Sequence, residues 1–448
     1  MATLTKEEAK RITDKVLSFS KADELSVALS GDRSGNIRYA RNTVSTSGET
    51  TDMSLAVTAV YGKRSGTATI NEFDDVSLEK TVRRAEEIAR LAPENPEFVA
   101  GLGPQTYQET KSYAESTARI DPDYRAKAAF DSIEVCAKKN LTAAGFMEDS
   151  AGFRAISNSK GLFGYNRATS VDFSVTVRTA DGTGSGYALR DVTDTGRLNT
   201  RQATEVAAQK AAASVNAKAL EPGKYTVILE PAASVDLLGN MMASMDARQA
   251  DEGRSFLSKK GGGTRLGEKL FDERVQIYSD PMNAELPGSP FAGGGGRFGG
   301  AGVDGRPQER VTWVDKGVVN SMFYSRFWAE KKGVKAVASP SGIIMVGGSE
   351  SLADLIKSTK KGILVTRLWY IRAVDPQTLL YTGLTRDGTF YIENGQIKYP
   401  VKNFRFNESP VIMLNNLEAL GKPIRVSGNL IPPMKIRDFT FSSLSDAV

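Results

Sequence analysis

Apolar positions along this chain alternate between a helical and an extended period, and the switches mark its elements. Thr5-x-x-Glu8 is a capping box ahead of Ala9, Ile12 and Val16 at helical spacing, which predicts a helix over 5–17. Leu25, Val27 and Leu29 alternate as a strand. Met53, Leu55, Val57, Ala59 and Tyr61 form a longer one, turning at Gly62-Lys63-Arg64 into 65–70. Ser77 reads as the cap of a helix whose Leu78, Val82, Ala85 and Ile88 share one face, with Pro93 preventing its continuation. Residues 99–121 are polar without a period and read as a linker. A helix at 124–139, strands at 155–158 and 169–179, and an alanine-rich helix at 204–220 follow. The segment 173–188 echoes 55–70, each an alternating strand, a Gly-containing turn and a small-residue return. Hairpins of this kind recur widely, so the echo alone is given no weight as duplication.

The second half opens on a buried-type strand at 224–230 and a helix from 232 to about 249. Val235, Leu238, Met241, Met242 and Met245 give that helix a broad apolar face, the methionines serving as core filler. A Gly-rich turn, a short helix and a strand reaching Asp280-Pro281 are expected across 253–281. Residues 288–307 are dense in glycine but lack the Gly-Lys-Ser/Thr of a phosphate loop, and read as a loop beside a groove or a plain spacer. Strands at 310–314 and 318–324, a helical turn in 324–333, a strand at 342–346 and a helix at 351–359 are expected next. From Gly362 to Ser409 the chain is almost all strand and turn. Phe390, Tyr391 and Ile392 lead into Asn394-Gly395, the dipeptide suited to a two-residue hairpin, and Pro400 limits the return strand. Further strands are expected at 411–414, at 424–426 and in the tail.

Composition narrows the chemistry. A chain of 448 residues suggests two or three domains at roughly 100–200 residues each, divided here as 1–98, 99–221 and 222–448. The 58 basic and 53 acidic residues are well mixed, with no basic stripe among stacking aromatics, so no nucleic-acid partner is expected. The single cysteine, Cys136, makes no intrachain disulfide and reads as a small buried hydrophobe. The first residues are charged throughout, and no run approaches the ~18 apolar residues of a membrane span. A cytoplasmic protein with no membrane partner is the expectation.

The most informative feature is that histidine is absent. That excludes His as general base, the Ser-His-Asp and Cys-His hydrolases, and every zinc helix of the His-Glu-x-x-His type. One cysteine excludes thiolate zinc sites, and no spaced carboxylate loop of the calcium type occurs. No Gly-x-Ser-x-Gly or Ser-x-x-Lys string stands in a strand-to-helix context.

The strings LVTRLWYIRAVDP, TGLTRDGTFYIENG and PVKNFRFNES resemble the C-terminal signature of the TldD/PmbA family, and 253–281 is similar to it as well. The resemblance implies an α+β fold, with an N-terminal α/β part of sheet and flanking helices and a C-terminal β-rich, barrel-like part. It also implies a zinc metallopeptidase that trims unfolded or modified peptides. TldD-type chains carry a His-Glu-x-x-x-His helix that binds zinc; TldE/PmbA-type chains lack it and help enclose the substrate passage. Matching the family's leucine pair to Leu237-Leu238 puts Gly239 and Asn240 at the first His and the Glu, and Ser244 at the second His. None of these is a zinc ligand or a general base. The family's cysteine ligand has no counterpart in 371–380.

The resemblance therefore implies a TldE/PmbA-type chain with no catalytic residue and no cofactor of its own. Zinc would belong to a TldD-type partner subunit, and a peptide would be the substrate. Tyr370, Arg372, Arg386 and Asp387 are the candidate substrate contacts, because arginines beside aromatics hold carboxylates or stack on side chains. Against that stands a purely structural pairing of Arg372 and Arg386 with Asp375 and Asp387. Two other functions stay open: a self-sufficient homodimer that binds peptides without cutting them, and a hydrolase with a Ser- or Lys-based site.

Overall fold

The computed structural model describes residues 3–293 and 304–445, and its first half is one pattern used twice. Helix α1 (Lys6–Ser18) starts on the expected Thr5–Glu8 capping box. Strands β1 (Glu24–Ala40), β2 (Thr43–Tyr61) and β3 (Arg64–Ile70) and helix α2 (Asp75–Leu91) follow. After a short α3 (Glu115–Ala118), the same helix, three strands and helix recur as α4 (Pro122–Ala137), β4 (Leu141–Asn158), β5 (Phe163–Thr179), β6 (Ser185–Val192) and α5 (Thr200–Ala213). All six strands join one antiparallel sheet in the order β3-β2-β1-β4-β5-β6, so the two units meet at the central β1–β4 pair.

The echo between 55–70 and 173–188 is this duplication. Val57 pairs with Ala68 and Ala59 with Gly66; in the second unit Val175 pairs with Ala188 and Val177 with Gly186. Each return-strand glycine lies directly under the closing helix. A Cβ on Gly66 would stand 2.3 Å from Ala89 N and 2.5 Å from Ala85 O, and one on Gly186 2.1 Å from Ala207 O and 2.6 Å from Ala211 N. Alanines one turn apart on each helix complete the close approach. Packing shows a repeat to which the hairpin pattern alone gave no weight.

The strands run far beyond the alternating stretches. Residues 43–52 of β2 are exposed, and main-chain pairing with β1 holds them instead of burial. Hydroxyls add to it, as in Ser34 Oγ and Thr50 Oγ1 at 3.0 Å. Farther along, Arg125 of α4 covers Gly35 and donates to both oxygens of Asp149, at 2.6 and 2.9 Å, and to Glu49 at 3.0 Å. Glu49 and Asp149 are the two cross-strand neighbours of Gly35, so the buried cation is met from both sides. The helices fill two cores, one around Val16, Leu55 and Val82, the other around Tyr39, Cys136 and Phe173.

The C-terminal part begins with β7 (Gly223–Leu229) and α6 (Pro231–Ala243). Strands β8 (Ile277–Ser279), β9 (Val311–Asp315), β10 (Val318–Val319) and β11 (Ile344–Met345) are short. The signature supplies β12 (Lys361–Val365), β13 (Leu368–Asp375), β14 (Leu380–Thr385), β15 (Thr389–Glu393), β16 (Gln396–Pro400) and β17 (Phe404–Glu408). Then come β18 (Leu417–Leu420), β19 (Ile424–Val426), β20 (Asn429–Ile431) and β21 (Met434–Leu444). Nine strands form a curled half-barrel in the order β13-β14-β17-β21-β7-β12-β15-β16, with β18 on β21. The rest form a smaller sheet, β10-β9-β8-β11-β20-β19. The large core gathers Leu237, Leu238 and Met241 of α6 with Phe404, Phe406, Phe439 and Phe441 of the half-barrel. The fold is α+β, as expected.

Several local expectations need correction. The cap of α2 is Asp74, whose carboxylate accepts from Ser77 N, and Ile88 is 38% exposed. Helix α5 stops at Ala213 because the chain leaves to pair with the half-barrel, Lys218 N donating to Pro400 O. The helix expected to reach 249 breaks after Ala243. Ala247 N donates to Phe323 O there, and a separate turn, Ala247–Asp251, starts on Asp246. No helix forms between 253 and 276. The stretch 411–414 is helical within Pro410–Asn415, because Ser409 caps it by accepting from Val411 N and Pro410 suits the first turn. Of the Gly-rich 288–307, residues 294–303 lie outside the described residues. The flanks are tied down by Phe291 against Tyr107 at 5.4 Å and by Tyr107 Oη donating to Gly305 O at 2.6 Å. Among the described residues no helix is long and apolar enough to cross a membrane.

Two outcomes follow from this packing. Gly186→Ala forces a methyl into the backbone of α5 and should cost about 1–3 kcal/mol in urea unfolding, while Gly48→Ala, with only Asn36 Nδ2 at 3.9 Å, should be near neutral. Burial pushes the Cys136 thiol up to about 11. Iodoacetamide at mildly alkaline pH should therefore leave it unmodified in the folded protein and alkylate it once the chain is unfolded.

Candidate functional site

Helix α6 divides its surface sharply. Ala233, Val235, Leu237, Leu238, Met241 and Met242 are buried. The remaining stripe, Ala232, Asp236, Gly239, Asn240 and Ala243, follows the 3.6-residue period and lines a cleft of about 410 Å³. Pro231 fixes the first turn. Glu230 ahead of it receives Lys210 of α5 at 2.6 Å, which ties the second repeat to the start of the helix. The facing wall is the segment from Arg367 to Ile371, and Tyr187 and Leu189 of β6 close one side.

Strand β13 is the outermost strand of the half-barrel, and its pairing slips between Trp369 and Arg372. Tyr370 sits at that irregularity with φ +55°, a left-handed conformation uncommon for an aromatic residue. The bulge turns its ring outward, where it is 54% exposed beside Trp369 at 38%. The two rings lie 5.4 Å apart; Arg386 covers Trp369 at 4.1 Å and Arg372 covers Tyr370 at 4.5 Å. The result is a cation–aromatic ladder along the rim of the cleft.

Of the four sequence-level substrate candidates, Tyr370 lines the cleft and Arg372 and Arg386 stack on its rim aromatics. Asp387 is placed differently. It is 2% exposed, accepts from Ser185 Oγ of β6 at 2.6 Å, and takes Arg367 Nη1 at 2.7 Å, with Arg386 Nε farther off at 3.9 Å. Asp375 serves its own turn, accepting from Gln377 N and Thr378 Oγ1. The motif-derived positions also separate: Gly239 and Asn240 face the cleft, while Ser244 caps α6 by donating to Asn240 O at 2.9 Å.

Arg367, Asp236 and Tyr187 are cleft residues that the sequence reading did not select. Arg367 lies 3.8 Å over the Tyr187 ring. Burial raises the Tyr187 phenol pKa, opposed by Arg367 and reinforced by Asp387 and Asp236. Asp236 was legible as part of the polar stripe opposite the methionine face. Tyr187 was not, because it arrives from the other half of the chain.

Comparison with known proteins places this geometry. The PmbA/TldA metallopeptidase C-terminal domain matches residues 222–443, domain 1 matches 26–89, and the central domain matches 103–215. The chain belongs to the PmbA/TldD family. It is 22% identical over 445 residues to the metalloprotease PmbA of Escherichia coli O157:H7, covering 94% of this chain and 93% of that protein. A PmbA homolog of Haemophilus influenzae is 21% identical over 399 residues, 85% of this chain and 83% of its own length. The crystal structure of TldE from Thermococcus kodakarensis superimposes with a TM-score of 0.86 at 17% identity, over 97% of this chain and 99% of that one.

As a member of a metallopeptidase family, the chain invites the question whether zinc fits its cleft. Asp236 is the one carboxylate among the lining residues, beside the amide of Asn240 and the cation of Arg367. Among the described residues no group of three His, Cys, Asp or Glu side chains gathers to hold a metal. This donor set does not fit zinc, which needs three or four such ligands and is repelled by a neighbouring guanidinium.

The burial contrast gives a direct test. Asp387→Ala strips a buried ion pair of its anion and should cost about 2–3 kcal/mol in urea unfolding, below the ~3–5 kcal/mol of a fully buried pair because Arg367 keeps some solvent. Tyr370→Ala, at an exposed position, should stay within about 0.5 kcal/mol.

Proposed function

We propose that this chain is the metal-free, TldE-type subunit of a two-component zinc metallopeptidase of the cytoplasm, holding peptides that a TldD-type partner cuts. One observation carries the reading. The helix at the heart of the cleft turns a bare backbone position, Gly239, and an amide, Asn240, toward the space where a catalytic family member would present its ligands, while the cleft itself persists. What remains suits a peptide. Strand β13 ends its sheet, so its outer edge offers main-chain donors and acceptors to an extended chain. Trp369 and Tyr370 offer apolar faces beside it.

Co-expression with a TldD-type chain that carries His-Glu-x-x-x-His tests the proposal. The expected result is a stable complex with chelator-sensitive peptidase activity, and no activity from this chain alone. A stable homodimer that binds peptides and ignores the partner would favour the self-sufficient reading instead. Chelator-resistant turnover by the pure chain would favour a non-metal hydrolase.

A further inference from the structure

The cleft between α6 and β13 contains a guanidinium whose position the rest of the fold dictates. Arg367 gives Nη1 to Asp387 Oδ2 at 2.7 Å and lies with its central carbon 3.8 Å from the centre of the Tyr187 ring. Asp387 is held in turn by Ser185 Oγ at 2.6 Å. These contacts come from β6, from the link between β12 and β13, and from the turn between β14 and β15. Arg367 therefore lacks the freedom of a surface arginine, although its side chain keeps 23% of its exposure and lines the cleft.

A guanidinium presents five N–H donors in a planar fork, and Asp387 takes one of them. The neighbouring arginines are arranged otherwise: Arg372 and Arg386 lie over the rim aromatics and do not line the cleft. A planar, singly charged acceptor matches the fork of Arg367. A phosphate dianion matches it poorly, because Asp236 lines the same cleft and Asp387 adjoins the fork.

We propose that Arg367 is the anion anchor of the cleft and takes the carboxylate of a peptide laid along β13, from either its C-terminus or an acidic side chain. Asp387 and Tyr187 are the residues that position it. The proposal rests on the peptide-holding function above and adds the chemistry by which one peptide is preferred over another.

The test is fluorescence anisotropy with a short extended synthetic peptide, labelled at its N-terminus, on the full chain alone and in its complex with a TldD-type partner. The peptide is compared with its C-terminal amide and with a variant in which its one glutamate is glutamine. The expected result is a loss of roughly tenfold or more in affinity when the relevant carboxylate is neutralised. Amidation identifies the chain end as its source, and the glutamine peptide identifies the side chain. Arg367→Gln should abolish the discrimination, and Arg367→Lys, which can keep the ion pair with Asp387, should weaken it. Equal binding of all three peptides by the unmodified protein would overturn the anchor while leaving peptide binding intact, whatever the fate of the variants. Binding of no peptide by either the chain or the complex would overturn both.

Discussion

Asp387 is the contact through which the two halves of this protein share one site. Its carboxylate is withdrawn from water and satisfied from two directions, by a hydroxyl on the second repeat and a guanidinium beside β13. Such a pair contributes little net stability over an apolar substitute, but an unpartnered member is costly, so folded arrangements that separate the two partners are disfavoured. Asp387 holds a left-handed conformation at φ +56°, with Gly388 at φ +124° after it, and this tight turn is what brings the carboxylate inward. Two more charge contacts fix the same junction: Lys210 to Glu230 at 2.6 Å and Arg425 to Asp191 at 2.8 Å. They tie α5 to the start of α6 and β6 to β19, and β6 forms the third wall of the cleft.

The duplicated sheet uses its two faces differently. Its helix-covered face supplies the two cores, and the centre of its other face is largely polar. Ser30, Asp32, Ser54, Ser150 and Arg154 from the central strands line a separate interdomain cleft of about 550 Å³ against Pro281, Ser341 and Arg425. Burial raises the Asp32 carboxyl pKa there, with Glu148 and Asp149 adding to it. The second repeat alone meets the half-barrel at the α6 cleft, through Tyr187 and Leu189. The same arrangement of elements thus serves once for β6-mediated docking and once for the opposite end of the sheet.

What could be read from the residues, and what could not, divides along physical lines. Helices with a strong apolar stripe and a capping box were legible, as were the alternating cores of the strands and the Asn394-Gly395 hairpin, whose two residues are both left-handed. The polar extensions of β1 and β2 were not, because their order comes from neighbouring strands and leaves no period in the sequence. The Val-Ile-Met-Leu run of 411–414 reads as a strand on its own, yet the Ser409-Pro410 start signal makes it a helix, Pro410–Asn415. At the site, Gly239, Asn240 and Tyr370 could be found from motif positions and composition. Arg367 and Tyr187 meet only through folding, across 180 residues of chain.

The α6 cleft gathers a guanidinium, one carboxylate, an amide and two phenols, a donor set that does not fit zinc. Calorimetric titration of zinc into the purified, metal-stripped chain, followed by a peptide-cleavage assay on the same sample, tests this most directly. The predicted result is no stoichiometric uptake and no cleavage. One tightly bound equivalent of zinc, together with chelator-sensitive cutting by the chain alone, would contradict it.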